Sequence, residues 1–418
     1  MKKLKLQSGF GINVLTLMTG TAIAQAMPII ISPILTRIYT PEDFGIFAIY
    51  FGIVSIGSVI ATGRYEMSIL LPRKDSDALY IVELSIVISL FVSMLLMAIL
   101  VFFNNYIAEL IKVEGPIYWL YLTPISIFIF SVFNAFMYWL NRNKRYKSMS
   151  KYRIIQNGAI STSQVIVGVL DKLSFGLIVS DFFGRLISVI VISKGILPSC
   201  KFWTFNLRKI ALAKRFIQFP KYEMPASLLN TLSYESVYLV VPVLFGAIVS
   251  GMYFLVFRVL MAPVALAGNA ILEVFKNRST EDYRKYGNCR SIFIKTMSLL
   301  IVLGVIPSLI IILFGQEIFV FVFGPSWKEA GLYAQVLMPM IFFRFVSAPL
   351  SYLFFIREKL KIDMVLQFFY FIMVVASLSM GWYFSSPVAM TIFLSLSGCI
   401  FYLFQIVISY KLSGHAKT

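Results

Sequence analysis

Long apolar runs separated by short charged or turn-forming stretches fill this chain from one end to the other. A bilayer's hydrocarbon core is about 30 Å thick and a helix rises ~1.5 Å per residue, so a run of about 20 mostly apolar residues crosses it. Twelve such runs are present: 10–36, 44–63, 79–103, 117–140, 154–170, 175–197, 224–245, 251–275, 292–314, 333–356, 364–384 and 388–410. Gln156, Asn157, Ser161 and Gln164 dilute the fifth. The pattern predicts an all-α integral membrane protein with 12 transmembrane helices. Its beginning imitates a secretory signal, with a basic stretch at 1–7, an apolar run and the small-residue segment Ala22-Ile23-Ala24. The run continues through Pro28 and Pro33 to Leu35, long enough to span, and eleven more follow, so it reads as the first span.

Composition agrees. The 418 residues are 59% hydrophobic and 13% charged, whereas soluble domains are about 45–50% apolar and about 25% charged. This excludes a soluble enzyme. It also removes a nucleic-acid reading of the +18 net charge, because a basic nucleic-acid surface has to stand in water. The charge is a matter of topology: alternate loops hold 30 Lys and Arg on one side and only Arg37, Lys112, Lys172 and Lys328 on the other. Positive residues stay cytoplasmic, so both termini are expected inside a bacterial inner membrane, with some attraction to anionic headgroups. Cys200, Cys289 and Cys399 follow no metal or disulfide spacing.

The outer loops, 38–43 and 385–387 among them, are too short for a folded domain. The longest cytoplasmic connection, 201–222, carries Phe202, Trp203, Phe205, Arg208, Lys209, Lys214, Arg215 and Phe216 and reads as an interfacial helix. It divides the chain into an N-terminal six-helix lobe (1–200), the linker and a C-terminal six-helix lobe (223–418). Pro33-Ile34-Leu35 before Gly45-Ile46-Phe47 is echoed by Pro242-Val243-Leu244 before Gly251-Met252-Tyr253. With six spans per half, the echo implies a parallel repeat about an axis along the membrane normal.

An ionisable group inside a span costs a few kcal/mol or more and so marks a candidate site. Asp181, Arg185, Glu235, Arg258 and Arg344 lie deep; Glu83 and Glu273 lie near cytoplasmic ends, where they can snorkel. Asp181 and Arg185, at i and i+4, can neutralise each other on one helix face. Glu235 and Arg258 lie about 15 and about 12 Å below the same hairpin and could pair across it. Arg344 has no evident partner at its depth other than Glu235.

Ser227, Asn230, Thr231, Tyr234, Glu235 and Tyr238 form a polar stripe on the seventh span. Asn157, Ser161, Gln164 and Gly168 form one on the fifth, and Asn13, Thr16 and Gly20 a fainter one on the first. Such groups often bond a neighbouring helix, but several stripes with three deep arginines predict a water-filled cavity between the halves. Two acids against three arginines favour an anionic ligand, since guanidinium matches phosphate oxygens bidentately. Aromatic and hydroxyl-bearing walls would suit sugars. No nucleotide loop, zinc-protease helix or catalytic triad is present, and Gly176, Gly184, Gly304 and Gly315 read as helix-packing or turn glycines, so neither a cofactor nor an enzymatic role is expected.

Several stretches resemble a known family. Pro33-Ile-Leu-Thr-Arg37-Ile-Tyr-Thr-Pro41-Glu-Asp-Phe-Gly45 is similar to the first-hairpin signature of the O-antigen flippases (Wzx type). These belong to the polysaccharide exporters of the multidrug/oligosaccharidyl-lipid/polysaccharide (MOP) superfamily. Gly63-Arg64-Tyr65-Glu66 with Leu71-Pro72-Arg73-Lys74 resembles that family's exit from span two, and Leu140-Asn141-Arg142 its loop after span four. Phe219-Pro220-Lys221-Tyr222-Glu223 is similar to its entry into span seven, and Gly251-Met-Tyr-Phe-Leu-Val-Phe-Arg258 with Pro263 to its eighth-span motif.

The resemblance implies two six-helix, MATE-like lobes around a central cavity, flipping undecaprenyl-diphosphate-linked O-antigen repeat units from the cytoplasmic to the periplasmic leaflet. Arg258 and Arg344 would contact diphosphate or acidic sugars, and Arg64 and Arg37 would guard the two mouths. Asp181, Arg185, Glu235, Asn230, Tyr234, Asn157 and Gln164 complete the candidate substrate contacts. Partners would be the lipid-linked oligosaccharide, membrane lipids and the pathway's polymerase and glycosyltransferases. The related peptidoglycan-lipid flippases carry an arginine in the first span, where this chain offers Asn13, Thr16 and Gln25, which points away from a peptidoglycan precursor. Two other readings are a cation-coupled multidrug antiporter, for which the N-terminal lobe offers only Asp181, and a non-transporting scaffold for glycan assembly.

Overall fold

The computed structural model describes residues 2–103, 106, 118–170, 175–200 and 207–414, with the side chains of the first helix from Thr19 on. Among the described residues every regular element is helical. Helix α1 (Lys2–Ile38) turns into α2 (Pro41–Ala61) across Tyr39 and Thr40. Thr40 Oγ1 accepts from the Asp43 amide, the Asp43 carboxylate accepts from the Thr40 amide at 2.8 Å, and Pro41 supplies a preset first-turn φ. That reciprocal cap lets the 38–43 loop be so short.

A 3-10 turn (Tyr65–Leu70) leads to α3 (Asp75–Phe102), followed by α4 (Leu122–Arg142), α5 (Tyr146–Leu170), α6 (Gly176–Ile196), α7 (Leu207–Arg215) and α8 (Met224–Phe245). These form a compact unit, Met1–Ala247. One of its cores is built of Ile81, Val82, Phe136, Leu140 and Ile192, with Leu212 and Phe216 closing it from the α7 side. The second unit, Ile248–Thr418, contains α9 (Ala247–Tyr286, whose first residue lies in the first unit), α10 (Arg290–Phe323), α11 (Lys328–Leu350), α12 (Leu360–Tyr383) and α13 (Pro387–Ser413). There Phe275, Phe293, Leu300, Leu350 and Leu353 pack together.

Among the described residues, eleven helices are long and apolar enough to cross a membrane. The twelfth expected span is helix α5, whose 25 residues are long enough but too polar, for the reason its sequence gives. The compact units divide at 247/248 rather than in the linker 201–222. Two contacts explain this. Helix α7 is fastened to α3 by Arg208–Asp77 and Lys209–Glu83 ion pairs, each 2.6 Å, which also shows that Glu83 is buried and paired rather than snorkelling. Helix α8 packs along α2, so the seventh span groups with the first six. The α2 chain comes so close to Ala247 that a Cβ on Gly45 would stand 1.9 Å from the Ala247 carbonyl oxygen. Phe202, Trp203 and Phe205 lie outside the described residues.

Candidate functional site

Helix α1 contains Pro28 and Pro33. Proline has no amide hydrogen, so the carbonyl four residues earlier loses its helical donor, and in a bilayer no water replaces it. For Pro28 that carbonyl is Ala24, and Asn157 Nδ2 donates to it at 2.6 Å. One turn earlier Arg153 Nη1 donates to Thr21 Oγ1 at 2.9 Å, and farther along the Tyr39 hydroxyl donates to the Gln164 carbonyl at 2.9 Å. Both chains climb in register, so α1 and α5 run parallel. Thus Asn157 repairs the first helix, and Gln164, buried, takes part through its backbone while its Oε1 has no hydrogen-bond partner. The side chains of Asn13 and Thr16 lie outside the described part of α1.

Deep in the first unit, Arg185 Nε lies 2.5 Å from Asp181 Oδ2. The Tyr50 hydroxyl donates to the same carboxylate at 3.0 Å and lies 2.7 Å from Ser126 Oγ, while the Arg185 guanidinium covers the Phe130 ring at 4.7 Å. Tyr50, Asp181 and Arg185 are all buried, and the cluster ties α2, α4 and α6 together. Its charges satisfy each other, as the i,i+4 spacing implies. Tyr50 escapes sequence reasoning because nothing local marks a tyrosine whose partner lies 131 residues away.

Arg64 sits half-buried in a left-handed turn (φ 60°) beside Gly63, its guanidinium 3.5 Å from the buried Glu66 carboxylate. Arg37 is exposed in the last turn of α1, where a cation complements the helix dipole. On α8, Thr231 and Ser233 donate to carbonyls of their own helix and Ser227 to Glu223. Asn230 is exposed and Tyr234 half-buried. Glu235 Oε2 is buried without a hydrogen-bond partner, an arrangement with a stability cost of the kind that functional sites retain.

In the second unit Arg258 is half-buried on α9 and Arg344 half-buried on α11. Arg344 lines a cavity of about 260 Å³ between these helices, together with Asn269, Gly268, Val264 and Leu272. Arg258 does not line it. Sequence reasoning also passes over Asp363, which accepts hydrogen bonds from Gln405 and Gln367, while Ser347 donates to Gln405 at 2.5 Å. That network joins α11, α12 and α13, and its one signal in the sequence is Gln367 at i+4 from Asp363. Outside the spans, burial pushes the Cys200 and Cys289 thiols up to about 11, so neither is a nucleophile at neutral pH. The four glycines read as packing positions are so: Gly176 lies on Tyr39, Gly184 on Ile160, Gly304 on Phe342 and Gly315 on Gln335.

The family described as polysaccharide biosynthesis protein matches residues 34–332. No curated protein matches the sequence. Among solved structures, the lipid II flippase MurJ in an inward closed conformation superposes with a TM-score of 0.76 at 12% identity, covering 96% of this chain and 90% of that one. An inward-facing multidrug resistance MATE transporter of the MOP superfamily gives 0.67 at 12% identity, covering 92% and 93%. A MOP superfamily transporter from Pyrococcus furiosus, described as having a binding pocket of reverse polarity, gives 0.66 at 11% identity, covering 97% and 96%. At such identities the shared property is the fold, and it is the MATE-like fold expected from the resemblance, shared also with MurJ.

Proposed function

This chain belongs to the polysaccharide biosynthesis protein family, and from that premise we propose that it is a flippase. It carries undecaprenyl-diphosphate-linked polysaccharide repeat units of the O-antigen type from the cytoplasmic to the periplasmic leaflet of a bacterial inner membrane by alternating access. The observation that carries the reading is a half-buried arginine, Arg344, lining a crevice between two spans in a chain of this family. A guanidinium at that depth favours a phosphate over a neutral or cationic cargo. Arg258 is assigned the same anion on the strength of the eighth-span resemblance, and Arg64 and Arg37 the two mouths. Polymerase and glycosyltransferases of the same pathway are the protein partners this role implies.

The multidrug antiporter reading is weaker because Asp181, the carboxylate it had to offer in the N-terminal lobe, is engaged by Arg185 and Tyr50. The test is genetic and biochemical. Arg258→Ala and Arg344→Ala should each abolish surface polysaccharide while the folded protein is present at its normal level. Vesicles holding only this protein should move a labelled lipid-linked glycan between leaflets. Normal polymer in both mutants rejects the arginine roles, motionless label supports a scaffold, and raised drug resistance on expression supports the antiporter.

A further inference from the structure

A buried glycine on a packed helix ordinarily marks close approach to a neighbour. Gly268 on α9 does the opposite: it is buried, yet a Cβ added to it would meet nothing within 4 Å. The missing side chain keeps open the cavity between α9 and α11, about 260 Å³ in volume, with Arg344 on the facing helix and Asn269 next in sequence. Every other lining residue, Val264, Leu272 and Met261 among them, is aliphatic, a proline or a thioether. One cation and one amide in an otherwise apolar wall is a poor sugar site, because a sugar needs several hydrogen-bonding groups and is best faced by aromatic rings. It is a good match for the junction of a phosphate with a hydrocarbon.

Size gives the same answer. At roughly 30 Å³ per water the crevice has space for about nine waters, enough for a phosphate or diphosphate and the first carbons of its chain. Position adds a direction. Gly268 lies about 32 Å along α9 from Ala247, and Arg344 about 9 Å short of the end of α11 at Leu350. The distribution of Lys and Arg along the chain puts those helix ends on the cytoplasmic side. The cavity then stands in the cytoplasmic half of the membrane, on the side of the leaflet in which a lipid-linked glycan waits before it is flipped.

We propose that the α9–α11 crevice is an entry seat for the isoprenoid phosphate of the carrier lipid, with Arg344 and Asn269 holding phosphate oxygens and the space beside Gly268 taking the first isoprene unit. The seat rests on the flippase reading above and names which part of the substrate it grips.

Farnesyl phosphate is the probe, measured by native mass spectrometry on the full-length protein in detergent. The intact protein should bind it at least tenfold more tightly than farnesol, inorganic diphosphate or phosphatidic acid. Arg344→Gln and Gly268→Leu, each checked for a monodisperse and cooperatively melting protein, should weaken it at least tenfold. Because Gly268→Leu could misfold, Gly268→Cys gives a milder second measurement: farnesyl phosphate should slow alkylation at that position, read by peptide mass spectrometry. Unchanged binding in both folded variants, or no protection at Gly268→Cys, overturns the seat. Equal binding of phosphatidic acid overturns the isoprenoid assignment, and equal binding of inorganic diphosphate overturns the need for a chain. The two readings fail separately: variant-sensitive farnesyl phosphate binding with no glycan movement in vesicles removes the flippase role alone, and glycan movement with variant-insensitive binding removes the seat alone.

Discussion

The bond from Asn157 Nδ2 to the Ala24 carbonyl, 2.6 Å long, makes a prediction with an internal control. In Asn157→Ala the carbonyl loses its donor, and the helix cannot replace it because Pro28 carries no amide hydrogen. Leaving a polar group unsatisfied in a partly buried setting costs about 1–3 kcal/mol, the upper end applying where water is absent. Pro28→Ala supplies an amide hydrogen from within α1. In that background Asn157→Ala should cost only the lost packing of the amide, about 0.5 kcal/mol, on the scale of ordinary substitutions away from special features. The coupling between the two positions is therefore about 0.5–2.5 kcal/mol, read as a double-mutant cycle. Unfolding of the four purified proteins in mixed micelles by denaturing detergent gives the energies, and circular dichroism verifies helix content. Equal costs in both backgrounds would show that Asn157 is not answering the proline, and the account of the α5 stripe would fall with it.

Removing one member of the buried pair, in Asp181→Ala, should destabilise the first unit by about 3–5 kcal/mol, because Arg185 is left charged and buried; Asp181→Leu with Arg185→Met should be far milder. Thermal melts check this, and a double mutant as unstable as the single one would refute it. Gly45→Val should cost about 1–3 kcal/mol or more through overpacking against the Ala247 carbonyl. A melting temperature within a degree of the unsubstituted protein would show that α2 and the start of α9 part without penalty.

Which features could be read from the sequence depends on how far apart their causes lie. The capping box at Thr40 and Asp43, the dilution of α5 and the Asp181–Arg185 pair each span four residues or fewer, or sum over one helix, and each is visible in the chain. Glu83 is different: its distance from a helix end suggests snorkelling, but its cation, Lys209, arrives from a linker helix over a hundred residues away. The same distance hides the packing of α8 on α2, which moves the boundary of the compact units past the linker. Asp363 is lost for a simpler reason. It falls one residue outside the apolar run 364–384, so a count of deep charges stops before it reaches the carboxylate bonded by Gln405 and Gln367.

The polar stripes show where periodicity alone misleads. A stripe facing water and a stripe facing the backbone of a neighbour have the same spacing, so hydropathy cannot separate them. Prolines can. Every proline inside a span strips the donor from the carbonyl four residues before it, and a bilayer obliges something to answer. Asn157 answers for Pro28, which accounts for the most polar member of the α5 stripe without any ligand. Ser32 and Thr36 simply back-bond to carbonyls of their own helix, those of Pro28 and Pro33. With Asn157 accounted for, the buried polar atoms without a hydrogen-bond partner on the α5 and α8 stripes include Ser161 Oγ, Gln164 Oε1 and Glu235 Oε2. The anion-binding reading thus rests on fewer residues than the sequence suggested, and on Arg344 above all, since its guanidinium adjoins a cavity that a glycine keeps open.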